Sequence, residues 1–401
     1  MKTVYTGATL FNGKDSELIN NAVVVVNDDR ITQIGSSKST PIPEDAKQVD
    51  LTGKYLIPGL IDCHIHLDLH GMPDTYQENL IEDKLRTLRA AKEMEQTLRA
   101  GFTTVRSVGS VNFIDMAVKQ GVEQGYVLGP RILAAGKIIT MTSSGTEYFS
   151  GMYREADGPD ECRKAAREQL KKGADFLKLM ATGAVMNPGS KPGAAELEVD
   201  EIRAIVEEGL KLGKHTAAHA HGADGIRNAV EAGVRTIEHG TLADDHALEM
   251  MQRKGAFLVA TLSPRRLFLE NAEHIPPFIV EKSKAMMEDT IKLVGRALKA
   301  GVQVAMGTDA GTNFNYHGLN AHEIVYLVEQ NMMSPQQAIT AATHTAARAI
   351  MMDHELGVLE PGKRADMLIL DENPLDNIRI LLDQSKFKVV LGGNIIVNSG
   401  T

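Results

Sequence analysis

The chain has 401 residues, of which 43% are hydrophobic and 24% charged, with a net charge of −9. That is the composition of a globular protein large enough for one barrel-sized domain and a smaller one. The negative balance argues against nucleic acid or an anionic membrane as partner, two cysteines are too few for a disulfide framework, and no apolar run approaches the roughly 20 residues of a membrane span.

The N-terminus, Met1 to Gly7, lacks the apolar core of a signal peptide, so a cytoplasmic protein with Cys63 and Cys162 as reduced thiols is expected. Residues 1 to about 57 read as short strands with tight turns. Val23–Val26 precedes the turn residues Asn27-Asp28-Asp29-Arg30, and Ile31–Gly35 follows as a second strand. The C-terminal part returns to this style in Asp366–Leu370 and Lys388–Val397, the latter with a Gly-Gly-Asn turn. Both ends are therefore expected to share one composite β-sandwich domain, residues 1–57 plus 358–401. Between them, over 58–357, apolar runs end near His66, Val108, Ala135, Met180, His219, His239, Leu262 and Met306. Helix-period segments separate most of them, of which Ile81–Ala100 and Glu201–Leu212 are the clearest, each stopped by a glycine. Eight alternating units predict a parallel (β/α)8 TIM-like barrel in the α/β class; a doubly wound open sheet is the alternative.

In such a barrel the functional residues gather at the C-terminal ends of the strands. Six chemically capable residues fall there. His64-Ile65-His66 places two imidazoles on one side of a strand, the start of a metal site. Lys178 sits in Asp175–Met180, a strand expected to be buried on both faces, where a lysine needs a partner or a task. One reading is a salt bridge at the strand mouth. The other is carboxylation by carbon dioxide, since a carbamate offers the anionic oxygen that an ammonium cannot. His219 and His221 end the fifth apolar run and His239 the sixth. One histidine from each suits a second ion, with His219 as ligand and His221 turned to substrate; the reverse assignment stays open. Asp309, in Met306–Gly311, is the sixth donor and the expected proton shuttle, with helix capping as the bland alternative. Six nitrogen and oxygen donors suit two zinc ions per chain, with manganese, iron or cobalt as substitutes. Cys63 is discounted as a ligand.

The motifs Leu56–His66, Ala181–Met186 after Lys178, His219-Ala220-His221-Gly222, Gly307–Gly311 and Gly357–Asp366 together resemble the amidohydrolase superfamily, in its imidazolonepropionase-like and Xaa-Pro dipeptidase (prolidase)-like branch. The resemblance covers nearly the whole chain. It implies metal ligands at His64, His66, Lys178, His219, His239 and Asp309, with a carbamate on Lys178. It also implies a distorted barrel with a small β-sandwich, and hydrolysis of an amide bond in a dipeptide or N-acyl amino acid bearing a free carboxylate. Lys178 favours the two-metal hydrolases over the one-metal deaminases and imidazolonepropionases of that resemblance.

Relatives of this type often carry Gly-Gly-His-Gly after the third strand. Here the loop runs from Thr140 to Arg154 without histidine, so Tyr148, Tyr153 and Arg154 are the substrate-contact candidates there, against solvated loop residues. The expected reaction is attack by a metal-bridging hydroxide, with Asp309 moving the proton and His221 steadying the oxyanion or substrate. The alternatives are a cyclic amide or lactone hydrolase or a deaminase on the same scaffold, and a non-catalytic barrel. The expected partner is a small-molecule substrate, and a homo-oligomer is the default for a soluble enzyme.

Overall fold

A computed structural model describes residues 2–14 and 17–396, and the end of the expected last strand, Val397, lies outside them. The chain forms two compact units. One comprises Met1–Asp62, Gln96–Thr104 and Gly318–Thr401, the other Cys63–Glu95 and Val105–His317.

In the first unit both chain ends build one eight-stranded sheet. Lys2–Leu10 pairs antiparallel with Ile19–Asn27, which turns at Asp28-Asp29 to pair with Arg30–Ser36. Tyr55–Pro58 pairs with Met367–Leu370, which leads to the hairpin of Phe387–Leu391 and Asn394–Ile396 across Gly392-Gly393. The unbroken valine run has a physical reason. Val24 and Val26 face a core with Leu10, Leu56, Met367 and Val390, while Val23 and Val25 pack with Val4 on the opposite face. A strand buried on both faces cannot alternate apolar with polar residues.

Parallel strands build the barrel. They are β1 (Leu60–Ile65), β2 (Phe102–Ser107), β3 (Arg131–Ala134), β4 (Leu177–Met180), β5 (Thr216–Gly222), β6 (Thr236–Leu242), β7 (Phe257–Val259) and β8 (Val304–Ala305). β4 to β8 pair in order in parallel. The ring closes where the Cys63 amide donates to the Met306 carbonyl and Ile65 bridges Ala310. On its other side Asp175 N–H donates to Ala134 O, joining β3 to β4. An open doubly wound sheet has two free edges and is excluded by this closure.

Helices alternate with the strands: α1 (Asp83–Arg99), α2 (Ile114–Glu123), α3 (Pro159–Lys172), α4 (Val199–Leu210), α5 (Ala223–Ala232) and α6 (Asp245–Lys254). α7 (Ser263–Glu270) and α8 (Pro277–Lys299) both lie between β7 and β8. The protein is thus an α/β chain with a (β/α)8 TIM-like barrel and a small β-sandwich domain formed by both termini. Among the described residues no helix is long and apolar enough to cross a membrane.

Three strand ends carry non-glycine residues in left-handed backbone: His239 (φ 70°), Thr261 (φ 48°) and Asp309 (φ 58°). Each such conformation costs about 1–3 kcal/mol and persists only where the surroundings enforce it. All three surround the cavity described next.

Candidate metal centre and its cavity

The C-terminal strand ends of the barrel open into a cavity of about 680 Å³ up to its mouth. His64, His66, Lys178, His219, His221, His239 and Asp309 all line it. The remaining wall is mostly apolar, with Leu69, Ile138, Phe149, Met152, Val185 and Phe268.

The donors form two groups. In one, the ligand atoms of His64, His66 and Asp309 lie within 4.8 Å of one another; in the other, those of His219, His221 and His239 do. The backbone sets the first group directly, because the Asp309 amide donates to the His64 carbonyl at 2.7 Å. Asp309 does not cap a helix; the next one starts at Ala321. His64 and His239 ring centroids are 5.0 Å apart, so the two groups adjoin.

Hydrogen-bond bookkeeping assigns the imidazole tautomers. His66 Nδ1 faces the Gly109 carbonyl at 2.9 Å and must donate, which leaves Nε2 with a lone pair. His64 Nδ1 donates to Glu238 Oε2 at 2.7 Å, with the same result. Thr261 Oγ1 gives its proton to the Ala260 carbonyl, so His239 Nδ1, 2.6 Å from that oxygen, is the donor, and its Nε2 is bare too. His219 carries a hydrogen bond to the Gly183 backbone, and its Nε2 has no partner among the described residues.

His221 differs. Thr241 Oγ1 accepts from Arg265 Nη2 at 3.1 Å and lies 3.1 Å from His221 Nδ1. With a second lone pair and its own proton still to use, the Thr241 hydroxyl pairs with either tautomer of His221. His219 and His239 thus present lone pairs, whereas the contacts of His221 admit either tautomer.

Electrostatics favour neutral rings at four of the five histidines; at His64 burial acts the same way, but Asp309 and Glu238 outweigh it and raise its value. Burial holds His219, His221 and His239 well below the ordinary histidine value and brings His66 down to about 4. Burial raises the Asp309 carboxyl, but His64, His66 and Lys178 outweigh it and hold it at about 2. Asp309 Oδ1, 3.3 Å from His64 Nε2 and 3.5 Å from His66 Nε2, has no hydrogen-bond partner among the described residues. An unpartnered carboxylate oxygen and an unpartnered imidazole nitrogen, both buried, are costly unless something binds them. A cation fits that deficit.

Lys178 is 2% exposed and makes neither hydrogen bond nor ion pair among the described residues. Burial brings its amine down to about 8, with the Arg106 charge acting the same way against Glu238 and Asp309. The salt bridge at the strand mouth is absent there. Its charge bears on His64, His66 and Asp309 of one group and on His219, His221 and His239 of the other.

Two supporting residues escape a reading of the sequence. Glu238 is fully buried; burial acts to raise its carboxyl, but Arg106, His64 and Lys178 hold it well below the usual range. Arg106, also fully buried, donates to Glu238 Oε1 at 2.7 Å, to Thr236 Oγ1 at 3.0 Å and to the Cys63 carbonyl at 2.6 Å. Neighbours on a regular strand face opposite ways, yet Glu238 and His239 both serve this site; the left-handed turn at His239 breaks the pleat. The one available signal was a carboxylate inside a two-sided apolar strand.

The loop candidates part company. Tyr153 lines the cavity and its hydroxyl reaches Asn187 Oδ1 at 3.3 Å. Arg154 does not line it; its Nε donates to Glu168 Oε2 on α3 at 2.7 Å. Tyr148 gives its hydroxyl to Asp74 and stacks among Tyr76, Phe149 and Phe278, also off the cavity. Cys63 is buried, is in no disulfide among the described residues and lies outside the lining. Asp62 accepts from Asn320 at 2.7 Å and lies outside it as well.

Gly222 closes the His219–Gly222 segment, and only glycine fits. A Cβ there would lie 1.9 Å from the Gly193 carbonyl oxygen of the loop after β4.

Comparison with known proteins agrees with this geometry. The model of the amidohydrolase family matches residues 55–397. An ochratoxinase of Aspergillus niger is 30% identical over 96% of this chain and 85% of its own length. An imidazolonepropionase of Cutibacterium acnes is 26% identical over 88% of this chain and 84% of its own. A crystal structure of a prolidase complexed with N-methylphosphonate-L-proline superposes with a TM-score of 0.90 at 30% identity, covering 99% of both chains. The chain belongs to the amidohydrolase family and is a metal-dependent hydrolase of amide bonds.

Proposed function

We propose that this barrel, residues 58–357, cleaves the amide bond of a dipeptide of Xaa-Pro type or of an N-acyl amino acid, using water. The observation that carries the reading is the pair of adjoining donor groups with the unpartnered Lys178 bearing on both. A buried amine at about 8 has a neutral fraction near neutral pH, and its nitrogen can add carbon dioxide with loss of one proton to give a carbamate. His64, His66, the Lys178 carbamate, His219, His239 and Asp309 would hold two zinc ions, or manganese, iron or cobalt, which when bound acidify water and polarise the scissile carbonyl.

The chain's own residues divide the remaining work. Asp309, an anion at neutral pH, takes the proton of the attacking water and returns it to the leaving amine. Water adds across the C–N bond, and a carboxylate and an amine leave. In its Nε2–H tautomer, His221 would donate to the oxygen that becomes negative in the tetrahedral state. The apolar wall excludes bulk water and accepts a hydrophobic substituent. The prolidase crystallised with a phosphonate of L-proline supports a substrate that ends in an amino acid.

The imidazolonepropionase relative supports a second reading, opening of a cyclic amide. One panel separates them: zinc-loaded protein with Xaa-Pro and other dipeptides, N-acyl amino acids, lactams and lactones, read by mass spectrometry. Release of a free amino acid that Asp309→Asn abolishes supports the proposal. Turnover confined to rings overturns it in favour of the second reading.

A further inference from the structure

The wall of this cavity holds one cation that the reaction scheme leaves unused. Arg265 lies in the first turn of α7 and lines the cavity beside the histidines. It is 7% exposed. Its neighbour Arg266 pairs with Glu270 in the ordinary way of a helix surface. Arg265 has no ion pair among the described residues. Its Nε donates to Thr290 Oγ1 on α8 at 3.1 Å and its Nη2 to Thr241 Oγ1 on β6 at 3.1 Å. Thr290 spends its own proton on the Met286 carbonyl at 2.9 Å, so it can only accept from the guanidinium.

A guanidinium has five N–H donors, and two are used. Both protons of Nη1 and one of Nη2 are without partners among the described residues. Nη1 and Nη2 together form the end of the guanidinium that grips a carboxylate through two parallel hydrogen bonds. The two threonines fix the plane of the fork from behind, so little rotamer entropy remains to be lost on binding. A buried cation without a counter-anion is expensive, and it is retained where a ligand supplies the charge. Among the described residues Asp309 is the acid whose charge acts on it, and Asp309 lies beyond ion-pair distance.

We propose that Arg265 is the specificity residue that binds the free α-carboxylate of the substrate, end-on and bidentate, with the apolar cavity wall taking the adjoining side chain. This rests on the amide-hydrolase reading and assigns the substrate's charged end to one residue. It makes the enzyme a carboxyl-terminal amidase, one that rejects the same amide when its carboxylate is masked. Arg154, bound to Glu168 on α3, is not that residue.

The test uses two probes, N-methylphosphonate-L-proline and its carboxamide, titrated by calorimetry into zinc-loaded protein. Wild type is expected to bind the carboxylate at least roughly 100-fold more tightly, because masking leaves the buried fork unpaired. Arg265→Met should bring the two probes within about threefold while metal content stays unchanged, and Arg265→Lys should keep about a tenth of the preference. Should Arg265→Met fail to fold, Arg265→Lys alone decides, since full retention of the ratio contradicts bidentate recognition. A wild type with no preference, or an Arg265→Met protein that keeps it, overturns the proposal. Failure of the parent reading looks different: the carboxylate preference would persist while no linear amide is hydrolysed.

Discussion

Glu238 stands between Arg106 and His64, with Oε1 2.7 Å from the guanidinium and Oε2 2.7 Å from His64 Nδ1. This relay fixes which nitrogen of His64 faces the cavity. Partners of this kind behind a ligating histidine typically change metal affinity 10–100-fold. Glu238→Gln is expected to weaken zinc binding by about that factor, measured by chelator competition, with the far-ultraviolet circular dichroism of the wild type. Unchanged affinity would remove Glu238 from the centre.

Among the described residues Asp309 is the one acid in the cavity lining. Asp309→Asn should lower kcat by about 1000-fold or more while leaving a folded protein, because an amide cannot take or return the proton. Steady-state kinetics alongside a thermal melt checks this. A variant with near-native kcat would assign the proton transfer elsewhere.

On the proposed reading Lys178 gives the centre an anionic oxygen donor only once it is carboxylated. Lys178→Ala is expected to lose turnover and to bind fewer than two metal ions per chain by elemental analysis. Wild type reconstituted with zinc in carbonate-free buffer should regain activity only on adding bicarbonate. Reconstitution indifferent to bicarbonate would contradict the carbamate.

Gly222 is held against Gly193, and the clash of a Cβ falls on backbone, which cannot swing away. Gly222→Ala should destabilise by about 2–3 kcal/mol and impair zinc binding through His219. Denaturant unfolding gives the first quantity and elemental analysis the second. A neutral substitution would mean that the loop after β4 moves freely.

In the first unit, Glu355 accepts from Arg30 Nη2 at 2.8 Å and Arg364 Nε at 2.9 Å. Those bonds lower its carboxyl to about 2. A depressed acid stabilises the fold above its unfolded value of 4.5, and the gain disappears as pH falls from there to about 2. Arg30 is 37% exposed, so solvent screening reduces the pair to about 1 kcal/mol. Glu355→Gln should therefore lower stability near neutrality and converge with wild type near pH 2. Parallel curves down to that pH would show that the ion pairs contribute nothing.

The barrel and the donors were legible because both rest on local signals. Apolar runs mark strands, and chemistry at their C-terminal ends needs only the barrel rule to bring His64, Lys178, His219, His239 and Asp309 together. What failed to show depends on contacts distant in sequence or on broken local rules. Glu238 reads as facing away from His239 until a left-handed residue breaks the pleat. Arg154 and Tyr148 read as free until Glu168 and Asp74 are seen to engage them. Arg265 and Arg266 are indistinguishable in sequence; helix orientation sends one to the cavity and the other to Glu270.

The most direct test of the two-metal amidase is a zinc titration of metal-free protein in bicarbonate buffer, following hydrolysis of the best N-acyl amino acid or dipeptide. The expected result is activity that rises to two equivalents per chain and stops there. Saturation at one equivalent, or amide hydrolysis by the metal-free protein, would contradict it.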